Sequence, residues 1–270
     1  MNDDTNDLSG IDPKMLARIQ ALRLMDDDFM TVVFAGDNAL TEFLLRILLS
    51  RDDLRVKKSM TQKEMHNLFG RSVRLDILAE DESGKIYNIE IQRADKGADP
   101  RRARYNLAML DSHALKRKSN FADLPETYII FITENDYFGL GNPLYEVQKE
   151  IKGTALPFDD GAHTIYVNGA YRGDDKIGKL MHDFCEPNAD KMNYAEIAER
   201  VRLHKQQTKG VSNMCRIFEE YGDERAAEAR NEVVEKLLRQ NKLSLEEIAE
   251  TTDVPLEQVQ KIAERIFATA

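Results

Sequence analysis

The chain has 270 residues, 42% of them hydrophobic, and 38 Lys and Arg against 48 Asp and Glu give a formal net charge of −10. That is enough apolar material for one large domain with an appendage. No apolar run approaches membrane-spanning length, and the acidic opening Met1–Asp7 has no secretory-signal character. Cys185 and Cys215 lie far apart without CxxC spacing, the histidines are scattered, and no Gly-x-Ser-x-Gly or Walker-type loop occurs. Disulfide scaffold, zinc enzyme, serine hydrolase and P-loop readings therefore lack support, and a cytoplasmic globular enzyme is the expected class. The negative charge argues against a surface coated in positive charge, yet a local basic patch is sufficient to steer DNA.

In chain order, residues 1–20 read as a disordered acidic tail. A helix is expected through Leu40, Phe43, Leu44, Ile47 and Leu48, capped by Asp37 or Asn38. It carries Glu42, whose spacing from Arg46 suits a surface ion pair at i,i+4.

The stretch Ser72–Gln92 alternates apolar and polar residues with a period of two on either side of Ser83-Gly84, the pattern of a β-hairpin. Val73, Leu75 and Ile77 face one way, as do Tyr87, Ile89 and Ile91. Arg74 and Asp76 then share the opposite face with Asn88, Glu90 and Gln92. Folding the hairpin about Ser83 sets Asp76 across from Glu90. Polar residues on the solvent face of a hairpin are ordinary. Two carboxylates directly opposed, however, repel each other unless a cation lies between them, and hard oxygen ligands select Mg²⁺ or Mn²⁺ over zinc.

A basic segment follows at once, from Arg93 to Lys118. Pro100 opens a helix, with Ala103, Leu107, Leu110 and Ala114 as its buried stripe and Arg101, Arg104 and Tyr105 largely outside it. Beside a carboxylate metal site, such a helix supplies what a phosphodiester substrate requires: cations for the backbone and a metal for the scissile phosphate.

Residues 120 to about 185 read as short strands, Tyr128–Thr133 and Thr164–Asn168, separated by glycine- and proline-rich loops. Asp174-Asp175 after Arg172-Gly173 reads as a polar turn. From Tyr194 the pattern is helical, with Ile197, Val201 and Leu203 on one side, and Asp223–Leu238 reads as a solvated connector helix. Ser244-Leu-Glu-Glu247 is a capping box opening a helix, Thr252–Pro255 a turn, and Leu256, Val259, Ile262 and Ile266 stripe a second helix. This spacing is helix-turn-helix-like. The second helix is near neutral, which favours a helical cap or dimerisation element, and so a homo-oligomer, over a DNA reader.

Taken together, Asp76, Glu90-Ile91-Gln92 and Arg102-Ala-Arg-Tyr105 resemble the PD-(D/E)xK nuclease family transposases, which are related to the recombination-promoting nucleases. The likeness extends to Leu24–Met30, Tyr128–Glu134, Gly139–Tyr145 and Thr164–Asp175, covering roughly residues 20 to 220. It implies a restriction-endonuclease-like α/β core, a mixed central sheet flanked by helices, with a helical C-terminal extension. The organisation it suggests is a tail at 1–20, the nuclease-like domain at 21–220, a connector helix at 221–240 and the helix-turn-helix-like unit at 241–270. By resemblance, Asp76 and Glu90 bind Mg²⁺ (or Mn²⁺) with the Ile91 carbonyl as a further ligand, and Arg101, Arg102, Arg104 and Tyr105 contact DNA. Glu42 is then a candidate for the upstream helical acid that completes the metal site in many nucleases of this fold. Gln92 stands where the family most often has lysine. It hydrogen-bonds a water but carries no charge and is no base. Two expectations follow: a metal-dependent DNA endonuclease of transposase or recombination-promoting type, or a catalytically weak DNA-binding or regulatory protein that keeps the fold.

Overall fold

The computed structural model describes residues 7–67, 70–93, 95–240 and 242–267. Its strands are β1 (Val56–Met65), β2 (Val73–Asp81), β3 (Ile86–Gln92), β4 (Thr127–Thr133), β5 (Leu144–Val147), β6 (Glu150–Ile151), β7 (Leu156–Pro157) and β8 (Ala162–Asn168). Six of them form one mixed sheet in the order β1-β2-β3-β4-β8-β5, and β6 pairs with β7 alone. β1, β2 and β3 form an antiparallel meander, β3, β4 and β8 run parallel, and β5 closes the far edge antiparallel to β8. The parallel centre is buried on both faces, which is why Ile129–Ile132 reads as an unbroken apolar run.

The helices are α1 (Pro13–Ala21), α2 (Asp27–Phe34), α3 (Asn38–Leu49), α4 (Pro100–Ala114), α5 (Lys176–Cys185), α6 (Ala195–Gln206), α7 (Thr208–Gln240), α8 (Leu245–Thr252) and α9 (Leu256–Phe267). α2 and α3 pack on the β1–β2 side of the sheet, and α4 packs against β4. The architecture is thus the expected mixed central sheet flanked by helices, followed by C-terminal helices.

Two local expectations are corrected. Residues 13–21 are helical rather than tail: Asp12 accepts from the Lys14 amide, Pro13 takes the first turn, and Ile19 is buried. Of the rest of that tail, residues 1–6 lie outside the described residues. The stretch Lys176–Cys185, expected as strand and loop, is the helix α5. Asp175 caps it by accepting from the Gly178 amide, and Asp174 pairs with Lys179.

α6 is anchored by a charge that sequence periodicity does not reveal. Lys205 is buried, and its ammonium donates to the carbonyls of Gln20 (2.9 Å), Leu22 (2.5 Å) and Pro187 (2.5 Å). Burial draws its pKa down to about 8.

The chain divides into two compact units, Met1–Val211 and Ser212–Ala270. In the second, Val234 and Leu238 of α7 pack with Ile248, Val254, Val259, Ile262 and Ala263. Ser244 and Glu247 form the capping box read from the sequence, and Asp253 makes the turn at φ 54°. Among the described residues, no helix is long and apolar enough to cross a membrane.

Candidate active site

The hairpin is built from its turn outward. Gly84, at φ 84°, permits the reversal, and Ile77 pairs with Ile89, Leu78 with Asn88 and Glu80 with Ile86. Continued by one residue, that register sets Asp76 across from Glu90. Here the regular ladder stops, and the Asp76 side chain takes its place: Oδ2 accepts from the Ile91 amide at 2.9 Å.

The face carrying these carboxylates is not solvent-exposed as a hairpin face ordinarily would be. Glu90 is 0% exposed and Asp76 8%. α4 covers them, with a polar stripe where an apolar one is expected. Asn106 is buried and donates to Asn88 Oδ1 at 3.3 Å, and Asn88 donates to Glu90 Oε1 at 2.9 Å. Met109 takes the place expected of Leu107, which is half-buried.

Arg102 closes the group. Its Nη2 donates to Glu90 Oε2 at 2.6 Å, and its Nη1 donates to Gln92 Oε1 at 3.2 Å and to the Gly97 carbonyl at 3.1 Å. Gly97 is needed for this approach: a Cβ there would stand 1.7 Å from Gln92 Oε1.

Burial holds the Asp76 carboxyl well above the ordinary carboxylate range, and the neighbouring Glu90 and Asp27 push it further; the Ile91 amide and Arg102 oppose them. Glu90 is also displaced upward by burial, against the pull of Arg102, Asn88 and the Asp76 backbone. Two acids side by side thus resist ionising, because burial strips both of water and Asp76 faces further acids.

Asp27 is the acid to which sequence alone assigned no role. It lies in the first turn of α2 and lines the same cleft as Asp76, and its Oδ1 accepts from Gln62 Nε2 at 3.1 Å. Gln62 sits between the pairs Thr61–Ile77 and Lys63–Leu75, hence across from Asp76, and adopts φ 52°. A left-handed non-glycine residue inside a strand, beside the buried acids, is strain of the kind that gathers at functional sites. The available signal was the acidic triplet Asp26–Asp28 ahead of an apolar helix. Glu42 is elsewhere: it pairs with Arg46 and accepts from the Val56 amide at 2.8 Å, so the ion-pair reading of its spacing is the one observed.

Of the four residues expected to meet DNA, Arg101, Arg102 and Tyr105 line the cleft, while Arg104 is exposed but does not line it. The Tyr105 hydroxyl donates to the Arg71 carbonyl at 2.5 Å and accepts from Asn67 at 3.1 Å, fixing the loop before β2. Ile91 and Gln92 line the cleft too, which encloses about 830 Å³. A second cleft, about 760 Å³ beside β5 to β8, holds neither of the two buried carboxylates.

The donors that converge on the first cleft are hard oxygens, and the raised proton affinity of Asp76 and Glu90 is the deficit a divalent cation relieves. In that respect the residues fit Mg²⁺ or Mn²⁺. Among the described residues no three His, Cys, Asp or Glu side chains form a closed cluster. The fit is therefore to an open site, suited to an ion that retains water.

A family model described as PD-(D/E)XK nuclease family transposase matches residues 33–154, a narrower stretch than the likeness at 20 to 220 had suggested. No curated protein and no solved structure matches the chain. The matched stretch holds the whole hairpin and α4, with Asp76, Glu90, Gln92 and Arg102, and leaves Asp27 just outside. Over that stretch, the chain is similar to the PD-(D/E)XK nuclease family transposases.

Proposed function

We propose that the protein is a Mg²⁺-dependent DNA endonuclease that hydrolyses phosphodiester bonds, of the transposase or recombination-promoting type. The observation that carries this is the pair of buried carboxylates, Asp76 and Glu90, both with raised proton affinity: Asp76 lines a cleft shared with Arg101 and Arg102 of α4, and Arg102 of that lining holds Glu90. Asp76 and Glu90 hold the ion, with the Ile91 carbonyl as a further donor, and Mn²⁺ is an acceptable substitute. The ion supplies Lewis acidity toward the scissile phosphate and a water of lowered pKa. Gln92 positions the attacking water by a hydrogen bond. Arg101, Arg104 and Tyr105 receive the DNA backbone, and Arg102 lines the cleft beside them. The test is cleavage of supercoiled plasmid in Mg²⁺ or Mn²⁺ by wild type and by Asp76→Ala. Nicking or linearisation by wild type alone is the expected result, and no cleavage by either protein would overturn the reading.

A second reading is a DNA-binding or regulatory protein with little catalysis. It is favoured by the uncharged Gln92 and by the hold of Arg102 on Glu90. In that case the C-terminal helical unit contributes assembly or DNA contact. Loss of DNA binding or of a homo-oligomer on deleting residues 240–270 is its expected signature.

A further inference from the structure

The uncharged third position of the motif leaves open what stands in for the cation that the family resemblance implies there. We propose that Arg102 replaces it from helix α4, holding Gln92 with its carbonyl turned inward and its NH₂ turned toward the reacting phosphate. This rests on the nuclease reading and refines the role of Gln92 within it.

Three observations carry the proposal. First, a guanidinium has only donors, so the Gln92 atom facing Arg102 Nη1 at 3.2 Å is the carbonyl oxygen, and the amide NH₂ occupies the other branch. Second, the same guanidinium is held at two further points, Glu90 Oε2 at 2.6 Å and the Gly97 carbonyl at 3.1 Å. A planar fork fixed at two points sets the position of whatever else it binds. Third, Gly97 leaves the space in which the Gln92 carbonyl sits, since a Cβ would meet Oε1 at 1.7 Å.

The chemistry that follows differs from that of a glutamine acting alone. An NH₂ directed into the cleft donates, and its natural partner is an anionic oxygen, here a non-bridging oxygen of the phosphodiester. It takes no proton from water. The positive charge stands one residue back, on a side chain that still lines the cleft. Gln92 and Arg102 together thus supply the hydrogen bond and the charge that a lysine supplies as one group. Arg102 is a positioning residue in this scheme rather than a backbone clamp.

The two roles predict opposite kinetics. Arg102→Lys keeps a cation for Glu90 but cannot also hold Gln92. It is expected to lower kcat about 100-fold, as misplacement of a catalytic group does, with KM unchanged. A contact to the DNA backbone would instead raise KM and reduce the slope of log affinity against log salt by about one. Gln92→Lys puts two cations together and is expected to lose activity, while the exchange Gln92→Lys with Arg102→Gln recovers it.

An activity-independent readout is the ¹³C resonance of the Gln92 side-chain carbonyl in the metal-free protein. It is expected to move upfield in both Arg102→Lys and Gly97→Ala as its hydrogen bond is lost, with thermal melts confirming that each variant is folded. An unmoved carbonyl resonance, or Gln92→Lys more active than wild type, would overturn the proposal. Wild type that cuts no DNA would remove the nuclease reading, and the carbonyl resonance would still decide whether Arg102 sets the amide.

Discussion

Strand β2 buries an aspartate near each end, and their surroundings drive them in opposite directions. Asp81, at the turn, accepts from Ser83 Oγ (2.7 Å), the Lys85 amide (2.9 Å) and the Tyr87 hydroxyl (2.7 Å). Burial acts to raise its pKa, but these bonds outweigh it and the net direction is down. Asp76 accepts from the Ile91 amide and faces Glu90 and Asp27, and its net direction is up. The donors to Asp81 come from the next six residues of chain, as in any well-made turn. Those around Asp76 come from distant segments and fall short of the charge they surround. The first arrangement stabilises the hairpin; the second leaves a shortage of positive charge at its open end.

Substitutions at the two ends should separate these roles. Asp76→Ala is expected to reduce plasmid cleavage on the order of 10³-fold, while the metal-free protein melts close to wild type, because the lost bond to the Ile91 amide is offset by removal of a buried group whose ionised form is disfavoured. A large drop in its melting temperature would break the contrast.

His204 extends the same logic to a group outside the cleft. It is buried, both ring nitrogens lack a hydrogen-bond partner among the described residues, and burial, with Arg200 nearby, lowers its pKa from 6.5 to about 4. The folded state therefore binds this proton less readily than the unfolded chain. Stability is complete above pH 6.5 and falls as the pH drops toward 4, by roughly 3 kcal/mol in all. Urea titrations across that range should show stability falling less toward low pH in His204→Phe than in wild type.

Asp81→Asn is expected to cost about 2 kcal/mol, through weakened bonds to Ser83, Tyr87 and Lys85, and to leave cleavage intact. Its carboxylate stabilises the fold above the unfolded pKa, and that contribution is lost as the pH falls through the lower folded value. The smallest effect is that of the ion itself. Mg²⁺ at ten times its Kd should add about 1.4 kcal/mol, or about 4 °C in Tm. The gain should persist in Asp81→Asn and vanish in Asp76→Ala.

The hairpin was legible in the sequence because period-two alternation and a Ser-Gly turn determine register without help from the rest of the chain. The same is true of α3 with its Asp37 cap and of the Ser244–Glu247 capping box. What could not be read depends on contacts between distant segments. Glu42 and Asp27 are both acids near helices upstream of the hairpin. Which one enters the cleft is decided by how α2 and α3 pack on β1 and β2. Asn106 breaks the apolar stripe of α4 because it meets Asn88 across the sheet. The inward turn of Arg102 is a consequence of Glu90 being buried, and a helical wheel places it simply among the basic residues. Lys205 gives no periodic signal, since the carbonyls around it belong to α1 and to the loop at Pro187.

The strand order has a consequence for when the molecule becomes competent. β8 lies between β4 and β5, yet it is made after both and lies beyond the segment that matches the family. As the chain leaves the ribosome, the carboxylate hairpin and α4 emerge well before Ala162–Asn168. Until that segment arrives, β4 has an open edge and Thr133 Oγ1 lacks the Val167 carbonyl to which it donates at 3.2 Å. A nascent chain halted anywhere before residue 162 holds every carboxylate of the cleft and still lacks the strand that completes the sheet beside them, so assembly of the centre waits on the later half of synthesis.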